Sequence, residues 1–66
     1  MNKSVEKALR LLQALDIRGD WVGVRELSRQ LKLSPPTTHN LLKTLVASSF
    51  AETNPSTRQY RLGLGR

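Results

Sequence analysis

The chain has no cysteine, only one tryptophan, one tyrosine and one phenylalanine, and only five acidic residues in 66. Without cysteine there is no disulfide framework and no thiolate metal site, and the cytoplasm is the default compartment. The apolar fraction, aromatics included, is only 38%, so these twenty-five residues must nearly all serve one compact core. No apolar run approaches the roughly 18 residues that a membrane span needs, and the first residues show no secretory apolar stretch. A chain of this length buries only about 60% of the surface that its unfolded form exposes, which excludes the large enzyme scaffolds and leaves at most one small domain. What is abundant is positive charge: eleven Lys and Arg against five Asp and Glu give +6. Such a balance serves solubility, a membrane surface or a nucleic acid equally well, so its distribution along the chain decides.

Val5, Ala8, Leu9, Leu11, Leu12 and Leu15 recur at helical spacing, with Ser4 before them as N-cap. Their arc of roughly 160° is broad for one core face; either this first helix packs widely on its own domain, or part of the stripe meets a second copy. The pattern breaks over Ile17–Val22, where Arg18-Gly19-Asp20 signals a turn and Trp21-Val22 forms a very short strand. A second helix starts at Gly23, with Glu26 three residues on, and runs through Leu27 and Leu31. Ser34-Pro35-Pro36 opens a third, because the first turn is where a missing N–H costs least; Pro36 disfavours helical geometry at Pro35 and delays the first turn by one residue. Its inward positions are Thr38, Leu41, Leu42, Leu45 and Val46. Beyond Ser48-Ser49 the period becomes alternating: Phe50–Thr53 and Arg58–Leu62 are strands joined by Asn54-Pro55-Ser56-Thr57, with Pro55 placed for a type I turn.

Leu27, Leu31, Leu33, Thr38 and Leu41, with small Ser28 and the tight Lys32-Leu33-Ser34 connection, have the spacing of two short helices crossing steeply, as in a helix-turn-helix. A plain helical hairpin shares that periodicity. The outward arc of the third helix is more specific: Pro36, Thr37, His39, Asn40, Lys43, Thr44 and Ala47 include no acidic residue. These side chains are short enough to enter a groove about 12 Å wide and include the types that contact base edges and phosphates, whereas a solvated face usually mixes Glu with Lys. The charge follows the same division. Residues 1 to 26 hold five cations and four anions, a net of +1, and residues 27 to 66 hold six cations and one anion, a net of +5.

The segments Ser4–Leu12, Glu26-Leu27-Ser28, Leu31-Lys32-Leu33, Thr37–Leu45 and Tyr60-Arg61-Leu62-Gly63 together closely resemble the N-terminal winged helix-turn-helix of IclR-type (isocitrate lyase regulator) transcription factors. The resemblance spans Ser4 to Gly63. It implies a mainly α fold, with three helices followed by a two- to three-stranded wing, and sequence-specific binding to duplex DNA as part of a transcriptional regulator. The third helix, about 35–47, would enter the major groove, and the wing, about 50–62, would lie on the backbone or minor groove. It also implies a homodimer and a C-terminal domain that binds a small-molecule effector. On this basis residues 1–62 are the DNA-binding domain and 63–66 the start of a linker. Three positions depart from the family pattern: Pro36 stands where Ser is usual, Asn40 where Arg is usual, and Lys32 where the turn usually has Gly.

Each candidate contact has a plainer alternative. Asn40 is suited to an adenine edge or is simply solvated, and Thr37 contacts a phosphate or thymine methyl or only caps its helix. Lys43 suits a phosphate. Arg58, beside the wing turn, suits phosphate or minor groove, while Arg61 only solubilises an edge strand. Arg25 and Arg29 lie on the exposed side of the second helix, which crosses the backbone in this architecture, or merely solvate it. The DNA-binding residues expected are therefore Pro36, Thr37, His39, Asn40, Lys43, Thr44, Arg29 and Arg58. A lone His39 has no partner ligands for zinc, and no carboxylate occurs between Glu26 and Glu52 to complete a nucleophilic constellation. No cofactor, metal or enzyme activity is expected. The rival function is a winged-helix module for protein docking or dimerisation, using the broad stripe of the first helix.

Overall fold

A computed structural model describes residues 3–63. The elements run α1 (Lys3–Arg18), β1 (Val22–Gly23), α2 (Val24–Leu31), α3 (Pro35–Ala47), β2 (Ala51–Asn54) and β3 (Gln59–Leu62). Three helices and a small antiparallel sheet form a winged helix-turn-helix, as expected. The sheet order is β1-β3-β2, with Val22 opposite Tyr60 and Ala51 opposite Leu62. The two residues of β1 thereby make β3 the central strand, correcting the placement of Arg61 on an edge.

The core is almost entirely aliphatic. Leu11 and Leu15 of α1, Leu27 of α2, Leu42 of α3 and Val22 of β1 are fully buried, joined by Leu31, Leu45, Ala51 and Tyr60. Within α1 only Leu11, Ala14 and Leu15 are buried, while Ala8 and Leu12 pack against them. Val5 and Leu9 remain 52% and 51% exposed, so the broad stripe is only partly used by its own domain. Ser4 lies inside α1 and does not cap it, and the helix continues through Ile17 and Arg18 where a break was expected. Ile17 is 83% exposed, so apolar spacing did not locate this last turn. Gly19 (φ 67°) stops the helix, its N–H donating to the Leu15 carbonyl at 3.0 Å.

The junction of α2 and α3 rests on local chemistry. Lys32 adopts a left-handed conformation (φ 58°), and the Lys32 and Leu33 amides donate to the Arg29 and Ser28 carbonyls at 3.3 and 2.9 Å. This is the closing geometry that glycine ordinarily supplies. Arg10 of α1 donates to the Leu31 carbonyl at 3.2 Å, satisfying another orphan acceptor at that end. Ser34 caps α3: its Oγ accepts from the Thr37 amide, and Pro35 is already helical, without the expected delay. The two polar residues at the helix crossing are satisfied. Thr38 Oγ1 donates to the Ser34 carbonyl at 3.0 Å, and Ser28 Oγ to the Arg25 carbonyl at 2.9 Å.

The helix-to-wing connection turns at Ser49 (φ 66°), with the Phe50 amide donating to the Leu45 carbonyl at 2.9 Å. Phe50, expected as a strand residue, precedes β2 and is half exposed, because its amide is taken by this helix-closing bond. Arg58 is likewise in the turn and not in β3. Its amide donates to the Asn54 carbonyl at 2.7 Å and its φ is 57°. At the far end of the sheet the Gly63 amide donates to the Phe50 carbonyl at 2.9 Å. A Cβ on Gly63 would lie 2.9 Å from the Ser49 carbonyl, too close for any other residue. Leu64–Arg66, expected as a linker, lie outside the described residues.

Candidate nucleic-acid interface

With Thr38, Leu42 and Leu45 turned into the core, α3 presents Pro36, His39, Asn40, Lys43, Thr44 and Ala47 to solvent, and Thr37 half-buried beside them. The outward arc inferred from spacing is therefore the arc observed. Thr37 has a structural duty, its hydroxyl accepting from Ser34 Oγ at 2.8 Å as part of the helix cap. Thr44 Oγ1 donates to the Asn40 carbonyl at 3.2 Å, which leaves its methyl and oxygen lone pairs outward. The Asn40 carboxamide, the His39 ring and the Lys43 ammonium form no hydrogen bond with the described residues.

Six of the cations fall into two groups. Arg18 pairs with Glu26, tying the end of α1 to α2. Arg61 donates to Glu52 at 2.7 Å across the wing strands, with its guanidinium 4.4 Å from the centre of the Trp21 ring. Both are occupied within the fold. Arg25, Arg29, Lys43 and Arg58 make no ion pair with the described residues and are exposed.

An open cleft of about 920 Å³ separates α3 from the wing. Arg25 of α2, Pro35, Pro36 and His39 of α3, and Arg58 and Tyr60 of the wing line it. A shallower recess of about 270 Å³ continues along α3 past Lys43 and Ala47, sharing Thr53 and Tyr60 with the first. The structure thus brings Pro36, His39 and Arg58 together around one opening, with Lys43 at its extension. Arg29, in the last turn of α2, does not line either space. Arg25 lines this cleft, a placement that periodicity did not distinguish from that of a merely solvated cation. Its position two residues after the Gly23 cap was visible, but its convergence with Arg58 depends on β1 and β3 pairing.

Among the described residues no cluster of His, Cys, Asp or Glu could hold a metal ion, and no helix is long and apolar enough to cross a membrane.

Residues 4–55 match the model of the IclR helix-turn-helix domain. The chain is 36% identical over 62 residues to the HTH-type transcriptional regulator XynR of Escherichia coli, covering 94% of this chain and 25% of that protein. Among solved structures it is similar to the IclR-type transcriptional regulator of Alicyclobacillus acidocaldarius (TM-score 0.90, 28% identity, 97% of this chain and 26% of that one). It is also similar to Pseudomonas aeruginosa HmgR (TM-score 0.85, 29% identity, 94% and 26%). The chain spans about a quarter of the length of each of these relatives.

Proposed function

Because the chain belongs to the IclR helix-turn-helix family, a domain of transcriptional regulators and not an enzyme class, we propose that it binds duplex DNA sequence-specifically by inserting α3 into the major groove. The observation that carries this reading is the outward face of α3. It bears no acidic side chain, and its Asn40, His39 and Lys43 side chains have no hydrogen-bonding partner among the described residues. Asn40, near the centre of that face, suits bidentate pairing with an adenine edge. Pro36 and the Thr44 methyl offer apolar contact, Thr37 contributes near the helix start, and Arg29 with Arg58 anchors phosphates on either side. The wing rests on the backbone or minor groove.

We further propose a homodimer reading two half-sites. The half-exposed Val5 and Leu9 on α1 support this, since their burial against a second copy would complete the stripe. The setting is the cytoplasm. Residues 1–62 act as the DNA-binding domain, and 63–66 lead towards a C-terminal effector-binding domain, which is consistent with relatives about four times as long.

Selection of preferred sites from random duplex DNA tests the proposal in one experiment. Enrichment of a defined half-site is expected, repeated with two-fold symmetry if the protein dimerises. Absence of any enriched sequence, together with an affinity that does not fall as salt rises, would leave only a protein-docking role for this winged helix.

A further inference from the structure

The turn between α2 and α3 closes without glycine. Lys32 is left-handed (φ 58°), and its own side chain forms no hydrogen bond or ion pair with the described residues. Two local bonds close the end of α2, taking the carbonyls of Ser28 and Arg29. The Leu31 carbonyl is taken from outside the turn: the guanidinium of Arg10 on α1, 21 residues earlier, donates to it at 3.2 Å. That carbonyl belongs to the peptide unit entering Lys32. A peptide is rigid and planar, so turning this unit changes ψ of Leu31 and φ of Lys32 together. A donor that fixes the direction of the Leu31 carbonyl therefore fixes the left-handed angle of Lys32. Arg10 is committed to this bond. Glu6 precedes it by one helical turn, the spacing and order that favour an ion pair on a helix surface, yet Arg10 forms no ion pair with the described residues. Its charge instead meets the negative C-terminal end of α2.

We infer that Arg10 is a positioning residue: it holds the Leu31–Lys32 peptide, and through it the turn that sets α3 against α2, so that a lysine stands where glycine ordinarily closes the helix. α3 has its own cap at Ser34 and its own buried residues, Leu42 and Leu45. Loss of the Arg10 bond therefore leaves the fold in place and changes how the outward arc of α3 is presented. Contacts with base edges depend on that presentation, while attraction to a phosphate backbone carries no sequence information. The consequence for DNA rests on the reading of duplex DNA as the ligand; the consequence for the turn does not.

The test uses the full chain and compares Arg10→Met, which keeps the aliphatic stem and removes the donors, with Arg10→Lys, which keeps a charged donor. Each is made with Lys32 and with Lys32→Gly. In Arg10→Met the NMR cross-peak between the Lys32 amide and its own Hα, strong only at positive φ, should weaken while the amide shifts of Leu42 and Val22 hold. Arg10→Lys should keep it. Urea unfolding should show the folding equilibrium constant falling about tenfold for Arg10→Met, the order of one hydrogen bond to a charged group. With Lys32→Gly the fall should be about threefold or less, because glycine holds the left-handed angle unaided. Equal falls in both backgrounds, an unchanged cross-peak, or loss of native circular dichroism in both would overturn the proposal, whereas unfolding only with Lys32 would support it. On DNA, Arg10→Met should lower the preference for the site-selected over a random-sequence duplex about tenfold. The slope of log affinity against log salt should not change, and Lys32→Gly should restore the preference. A slope reduced by about 0.9 would make Arg10 a phosphate contact and overturn the positioning role. If wild type binds neither duplex, the DNA reading fails, and the cross-peak and the unfolding comparison still decide what Arg10 does at the turn.

Discussion

Lys32 and Arg58 place long cationic side chains where the backbone is left-handed, a conformation that costs an L-residue roughly 1–2 kcal/mol. At Lys32 the cost has no compensating side-chain contact among the described residues. Lys32→Gly is therefore expected to raise stability by about 1 kcal/mol in urea unfolding and to leave DNA affinity within about twofold. Arg58→Gly should raise stability by a similar amount yet weaken binding to specific and random duplex alike, measured by fluorescence anisotropy at fixed salt. The two substitutions thus separate a structural glycine position from one retained for charge. Asn40→Ala belongs to the same scale. It removes no side-chain hydrogen bond within the described fold, so stability should hold while specific binding loses about 1–3 kcal/mol. The outward side chains at these positions were legible in the sequence because residue type and helical spacing suffice to place a solvent-facing arc. The left-handed angle at Arg58 was not, since it arises from the Asn54 to Arg58 turn bond that closes the hairpin.

At the scale of elements, α3 depends on its cap more than most helices do. Pro35 and Pro36 have no N–H, so Thr37 carries the first amide of the helix, and Ser34 Oγ accepts from it. Ser34→Ala should cost about 1 kcal/mol of stability in thermal unfolding. It should also loosen the start of α3 and weaken DNA binding without changing the salt slope. In the wing, Arg61 joins Glu52 and Trp21 on the exposed side of the sheet. Ion pairs and cation–π contacts at exposed sites are each worth about 1 kcal/mol or less. Helix existence and order were legible from apolar period and caps. The ends were less so, because Ile17 extends α1 without burial and Phe50 is taken from β2 by the closing bond of α3.

At the scale of the whole molecule, stability depends on few side chains. A domain of this size has a total of roughly 3–10 kcal/mol, and truncating a fully buried leucine costs about 2.7–5 kcal/mol. Leu42 is fully buried where α3 meets the other helices. Leu42→Ala should therefore shift the urea midpoint strongly downward and leave a substantial unfolded fraction at about 37 °C. The distribution of charge also acquires meaning only here. Arg18 and Arg61 are engaged in ion pairs, and Arg25 and Arg58 remain open around the cleft between α3 and the wing, with Lys43 at the recess beyond it.

The sequence by itself determined the three helices, the hairpin, the aliphatic core and the outward arc of α3, because periodicity, caps and turn residues act over a few positions. It also carried the family resemblance, in the combination of short segments from Ser4 to Gly63. Only the tertiary structure decided that Val22-Gly23 pairs with Gln59-Tyr60, that Arg61 is occupied while Arg58 is open, and that Arg25 and Arg58 line one cleft with Pro36 and His39. Those outcomes depend on contacts between segments far apart in the chain, where local propensity has no information. The net charge of +6 was present in the composition, but the placing of Arg25 and Arg58 around one cleft came from folding.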